Sequence, residues 1–213
     1  MRFFTIKNVR FVQFLKNIQL IMKILIVLML LLLTNYCTAQ YCPGWRWDVK
    51  ALADDEANSI NFTEARTITF EQLKKLDHLE LNIGDWFMKR RVEERHYVKL
   101  TGKIIEWKIE PNDYDYHIVV SDGTNYIVCE IPNPECDGVR ETVHAEEYRA
   151  ARAFVRKLPN IEKNGWHIVS SDIGEFTLYG VIFHDFEHAA FFSMPHGLEI
   201  HPVLKITPAD NTP

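Results

Sequence analysis

Three strands, a helix and two further strands, in that order, predict a mainly β α+β domain: a five-stranded OB-fold-like Greek-key barrel with its helix between strands three and four. Apolar and polar residues alternate over 96–110, 114–122, 125–132, 175–186 and 198–206, the period of half-buried strands. The stretch EEYRAARAFVRKL (146–158), rich in Ala, Glu and Arg and ended by Pro159, is the one strong helix among them. Gly102 falls in the middle of the longest strand, where the first strand of such a barrel must bend to serve both halves.

Residues 1–39 read as a signal peptide, with Met22 the expected start. MKILIVLMLLLLTNYCTAQ (22–40) carries one lysine, an apolar run from Ile24 to Leu33 and a small-x-small site at Cys37-Thr38-Ala39. The run is shorter than the about 20 apolar residues of a membrane span. A membrane anchor is the alternative, and a lipoprotein signal is opposed by Tyr36 immediately before Cys37. Cleavage after Ala39, export to the periplasm or beyond, and no stable membrane insertion afterwards are expected. Removing 1–39 takes five basic residues and no acidic one, leaving 19 basic against 29 acidic residues, a formal −10. A chain this acidic gains nothing from counterion release, so non-specific nucleic-acid binding is not expected.

Residues 40–96 are expected to form a loop and short helix packed on the domain. Thr69 and Gln72 have the spacing of a capping box at the start of TFEQLKKLDHL (69–79). The OB-fold-like domain spans 97–207, with Gly123-Thr124 as a tight turn between its second and third strands and a tail at 208–213. Three cysteines survive cleavage. Cys129 alternates with core residues of a strand and Cys136 lies in a proline-rich turn, so Cys42–Cys136 with Cys129 free is the favoured pairing and Cys129–Cys136 the alternative.

Alternation also assigns faces. Tyr116, Ile118 and Val120 share one side of the second strand, with Asp115, His117, Val119 and Ser121 opposite; in the third, Ile127, Cys129 and Ile131 oppose Tyr126, Val128 and Glu130. In the last strand Leu198, Ile200 and Leu204 oppose Glu199, His201 and Val203. The barrel topology makes strand three a neighbour of both two and five, so His117, Glu130, Glu199 and His201 come to lie on three adjacent strands. Strands are about 4.8 Å apart and i,i+2 neighbours about 6.8 Å, within reach of a common ion. His117, Glu130 and His201 are the expected ligands of Zn²⁺, Mn²⁺ or Fe²⁺, with Asp115 or Glu199 activating water. Without a metal, a carboxylate orienting a histidine makes an acid–base pair; a salt-bridged, hydrated strand face is the alternative. Asp185 and His188 can join from the exit of strand four, whereas His184 and His196 read as bystanders.

The strings DYHIVVSD, EIPNPEC, GVIFHDFEH and GLEIHPVLKI together resemble a family of largely uncharacterised exported bacterial proteins with D-x-H-x-V, E-I-P-x-P-x-C and E-[LI]-H-P-V motifs. The resemblance covers about 97–206 and singles out Asp115, His117, Glu130, Cys136, Asp185, His188, Glu199 and His201. The chain departs from the family's H-G-Q at His188-Ala189-Ala190 and from its Asn-Gly at His196-Gly197. Two functional classes follow: an exported module binding a small molecule, oligosaccharide or peptide on its sheet face, or a metal-dependent hydrolase such as a phosphodiesterase- or nuclease-like enzyme. A structural domain without a site is the third.

Overall fold

The structure is a computed structural model that describes residues 4–33, 41–42, 44–76, 89–185, 194 and 197–209. The chain divides into two units, Met1–Ala39 and Gln40–Pro213. The described residues of the first form one helix, α1 (Phe4–Leu33), whose last third is the apolar run Ile24–Leu33. Among the described residues no helix is long and apolar enough to cross a membrane.

The second unit opens with two short helices, α2 (Trp47–Lys50) and α3 (Phe70–Leu73), flanking a two-residue strand β1 (Arg66–Thr67). α3 begins as its sequence dictates: the Thr69 hydroxyl accepts from the Gln72 N–H, and the Gln72 side chain accepts from the Thr69 N–H. The domain's main strands are β2 (Tyr97–Ile109), β3 (Tyr116–Ser121) and β4 (Tyr126–Ile131). After helix α4 (Ala145–Arg156) come β5 (Asn160–Lys163), β6 (Trp166–Val169), β7 (Phe176–His184) and β8 (Leu198–Pro208).

Five of these close on themselves. β2 pairs antiparallel with β3 and β7, β3 with β4, β7 with β8, and β4 meets β8 in parallel. With α4 between its third and fourth strands, this is the expected OB-fold-like barrel. The β5–β6 hairpin, unforeseen in the sequence, extends the sheet beside β2.

Gly102 marks the point where β2 changes partners, from β7 over Tyr97–Gly102 to β3 from Lys103 onward. A Cβ there would stand 2.8 Å from the Ser121 carbonyl oxygen, so the bend needs glycine. Gly180 is tighter still: its Cβ would meet the Pro202 carbonyl oxygen at 2.4 Å and Ile200 Cγ2 at 2.6 Å. Register shifts flank this contact between β7 and β8. They also correct one facing assignment: Val203, expected opposite Leu204, joins Ile200 and Leu204 in the core because the shifts break the alternation.

The barrel interior holds Ile118, Val120, Ile127, Cys129, Ile131, Leu178, Ile182 and Ile200, closed by Tyr148, Ala151 and Val155 of α4. Cys42 pairs with Cys136, and Cys129 is a buried free thiol, as the alternation implied. A second, smaller apolar cluster of Trp45, Val49 and Phe183 lies apart from this core.

Candidate functional site

The register brings the ionisable residues together on one face. His117 lies directly opposite Glu130 across β3 and β4, and Val128 opposite Glu199 across β4 and β8, leaving Glu130 and His201 one step further along. Glu130 binds in two directions. Its Oε1 is 2.9 Å from His117 Nδ1 in a hydrogen bond, and its Oε2 is 3.0 Å from His201 Nδ1. The other His201 nitrogen, Nε2, stands 3.3 Å from Asp115 Oδ2, while Glu199 Oε2 is 3.7 Å from Nδ1. Asp115 Oδ1 accepts from the Asn133 N–H at 2.9 Å. The line therefore runs His117, Glu130, His201, Asp115, with Glu199 alongside.

This face was expected to be the one turned away from the core, and it is, yet it is not a solvated surface. Asp115 and His201 are fully buried, and Glu199 and Glu130 are 3% and 6% exposed. The cover is the segment around α2. Trp45 packs edge-to-face on Phe183 at 6.0 Å, and Phe183 packs on His201 at 5.6 Å between ring centroids. Lys50, its side chain 7% exposed, places Nζ 2.7 Å from Asp185 Oδ2. Arg46 forms a buried pair with Glu94, whose carboxylate also accepts from the backbone N–H of Arg91 and His184. Tyr148 donates to the Ala51 carbonyl at 2.9 Å.

Burial then governs the protonation of each group. Glu199 is pushed up to about 7 by burial and by the Glu130 carboxylate beside it. Asp115 is pushed up to about 6 by burial, partly offset by His201. Burial opposes charge on Glu130 as well, but His117 and His201 overcome it and hold this carboxyl well below the ordinary value. His201 is disfavoured as a cation by burial and driven well above the ordinary histidine value by Asp115, Glu130 and Glu199.

The His201 contacts are at ion-pair distance without the alignment of hydrogen bonds. Both ring nitrogens, Asp115 Oδ2 and Glu199 Oε2 are buried without a hydrogen-bond partner. Ligands about 2.1 Å from one ion lie about 3.0–3.4 Å from each other, a spacing that His201 Nδ1 has to Glu130 Oε2 at 3.0 Å and Nε2 has to Asp115 Oδ2 at 3.3 Å. One ligand atom from each of Asp115, Glu130 and His201 lies within 4.8 Å of the others, so the barrel carries a buried Asp/Glu/His group that can hold a metal ion. One ion takes only one ring nitrogen: Nδ1 faces Glu130 and Glu199, and Nε2 faces Asp115.

Of the expected ligands, Glu130 and His201 belong to this group, and Asp115 stands with them where His117 was anticipated. His117 occupies the outer end of the line, its side chain 12% exposed, near Glu110 at 3.5 Å and edge-on to Trp166 at 5.7 Å. Asp185 meets Lys50. His188 lies outside the described residues, as does His196. His184 is buried with both ring nitrogens unpartnered and is held below the ordinary histidine value by burial, apart from the His201 contacts. Sequence reasoning missed Lys50: it sits 135 positions from Asp185 in a four-residue helix with no periodicity to read.

The chain matches no protein-family model, and no curated protein matches it significantly.

Proposed function

We propose that this protein is an exported binding module of the OB type that holds one divalent cation between Asp115, Glu130 and His201, with Glu199 alongside. The observation that carries this reading is a buried excess of carboxylates around His201, whose ring nitrogens, with Asp115 Oδ2 and Glu199 Oε2, lack hydrogen bonds. Four carboxylates, Asp115, Glu130, Asp185 and Glu199, are buried: Lys50 stands against Asp185, the His201 ring against Asp115, Glu130 and Glu199, and His117 against Glu130. Three of them converge on the one His201 ring, so with these carboxyls ionised negative charge exceeds the charge of an imidazolium, which is costly in a low-dielectric site. Exchanging one imidazolium proton for a divalent cation lowers that excess by one charge. The nitrogen–carboxylate donor set suits Zn²⁺, Mn²⁺ or Fe²⁺.

The Cys42–Cys136 disulfide supports export into an oxidising compartment, as do the apolar run of α1 and the motif resemblance to the exported family. A small molecule, oligosaccharide or peptide would meet the site at its outer edge, where His117 and Trp166 stand.

The test is metal analysis and calorimetric titration of the full chain with Zn²⁺ and Mn²⁺, repeated on His201→Ala and Glu130→Gln. One ion per chain, lost in both variants, is expected. His117→Ala should keep the ion. A folded wild-type chain that takes up neither metal at micromolar concentration overturns the reading.

One observation favours a second reading, a metal-dependent hydrolase. Glu130 fixes His117 Nδ1, leaving Nε2 as the nitrogen able to exchange a proton at the site's edge. Asp115 and Glu199 lie too deep to meet a substrate unaided, so water activation falls to His117. Turnover of a phosphodiester that needs the metal and is lost in His117→Ala would favour the hydrolase over the binding module.

A further inference from the structure

The lysine that completes the site comes from outside the barrel strands. α2 lays Lys50 over Phe183, with the ammonium 5.3 Å from the ring centroid, and Phe183 in turn covers His201. The Lys50 stem and head are buried together, and Nζ reaches Asp185 at 2.7 Å. Burial works against this ammonium, but Asp185, Glu130 and Glu199 outweigh it and keep it charged, which places Lys50 in the field of the same carboxylates that face His201.

Anchoring the α2 segment does not require this charge. Arg46 is already tied to Glu94, Arg90 donates to the Val49 carbonyl at 2.7 Å, Tyr148 holds the Ala51 carbonyl, and Cys42 is bonded to Cys136. Burying a further ammonium is expensive unless its charge is used. The carboxylates beside it are in surplus, and Lys50 offsets one of them.

Building on the metal reading above, we propose that Lys50 is a charge-setting residue of that site: its ammonium matches the cluster to a divalent ion and selects against ions of higher charge. The Lys50–Asp185 pair adds no net charge. Removing only the lysine gives the bound ion one more negative neighbour, and removing only the aspartate takes one away. The effect on a trivalent ion exceeds that on a divalent one, because the Coulomb energy scales with the ion's charge.

The test titrates the full chain with Mn²⁺ and with Tb³⁺, in wild type and in Lys50→Met, Asp185→Asn and the double variant. Lys50→Met should tighten Mn²⁺ on the order of tenfold and shift the Tb³⁺/Mn²⁺ affinity ratio toward Tb³⁺ by about threefold. Asp185→Asn should do the reverse, and the double variant should return both quantities to near wild type. The opposite signs keep the test decisive if one single variant fails to fold. A wild-type chain that binds Mn²⁺ while neither folded single variant shifts the Tb³⁺/Mn²⁺ ratio overturns the role of Lys50 and leaves the metal site standing. Absence of Mn²⁺, Zn²⁺ and Tb³⁺ binding in wild type and variants alike overturns the metal reading itself.

Discussion

Glu199→Gln isolates the electrostatic cost of this buried face. In the metal-free protein the Glu199 carboxyl is raised from 4.5 to about 7 by burial and by Glu130, so the folded chain keeps this proton to a higher pH than the unfolded chain does. Unfolding between those values releases a proton, and stability therefore falls as pH rises from about 4.5 to about 7. The span is worth on the order of 3 kcal/mol. Asp115, raised to about 6, acts in the same direction at lower pH, and His201 does so as pH rises through its elevated value. Glu130, held low, acts oppositely: its contribution is present above the ordinary carboxyl value and lost as pH falls through the folded one. The difference between wild type and Glu199→Gln removes these shared contributions to first order. Urea unfolding with a chelator present, followed by tryptophan fluorescence from pH 5 to 8.5, should show the variant gaining on wild type by on the order of 2–3 kcal/mol. At the slopes usual for a domain of this size that is about 1.5 M in urea midpoint. Saturating Zn²⁺ or Mn²⁺ should stabilise wild type more than the variant at pH 8, since the cation answers the ionised carboxylate. Parallel curves for the two proteins across the whole range would refute the assignment of buried repulsion to Glu199.

Gly180→Ala drives a methyl into the Pro202 carbonyl and should cost roughly 2–3 kcal/mol by calorimetry, while weakening metal binding through the neighbouring His201. Glu94→Gln leaves Arg46 buried without its carboxylate and should cost roughly 3–5 kcal/mol in urea unfolding. The exposed Arg149–Glu146 pair is the control, with Glu146→Gln costing about 0.5 kcal/mol or less. Replacing Cys42 and Cys136 together by serine reopens a link between residues 94 positions apart and should cost about 4–5 kcal/mol. Dithiothreitol should produce the same loss in wild type and none in the double variant.

The barrel was legible because each of its strands has one apolar face, and period-two alternation is the imprint of a half-buried sheet. The β5–β6 hairpin left no such imprint. Its four-residue strands are mostly exposed, so nothing alternates, and only the Asn164-Gly165 dipeptide signalled the turn. The meeting of His117, Glu130, Glu199 and His201 followed from strand order and the alternation of faces, both of which the sequence carries. Their burial did not follow. It depends on α2, a single helical turn, and the Arg46 that precedes it: Lys50 reaches across 135 positions to Asp185, and Arg46 across 138 to the His184 carbonyl. No local pattern encodes contacts of that range, and Val203 went astray for a related reason: a register shift is made between strands, not within one.

The composition of the covered face bears on why the polar group is there. Val119, Val128, Phe183, Trp45 and Val49 show that the outer face and its cover can pack as an ordinary apolar interface. A fold serving stability alone would continue that packing through positions 115, 130, 199 and 201, since hydrophobic residues of similar volume are often neutral or stabilising in place of buried ion pairs. Instead those positions carry three carboxylates and a histidine, two of the carboxyls raised to about 6 and about 7 by burial and by the charge of Glu130. The crowding destabilises the fold at neutral pH unless a cation resolves it, and perturbed carboxyls gathered around one ring are a common mark of functional sites. On the proposed reading, the outer face is a second core whose polar centre would take an ion, and whose cover would supply Lys50 to match the cluster to that ion's charge.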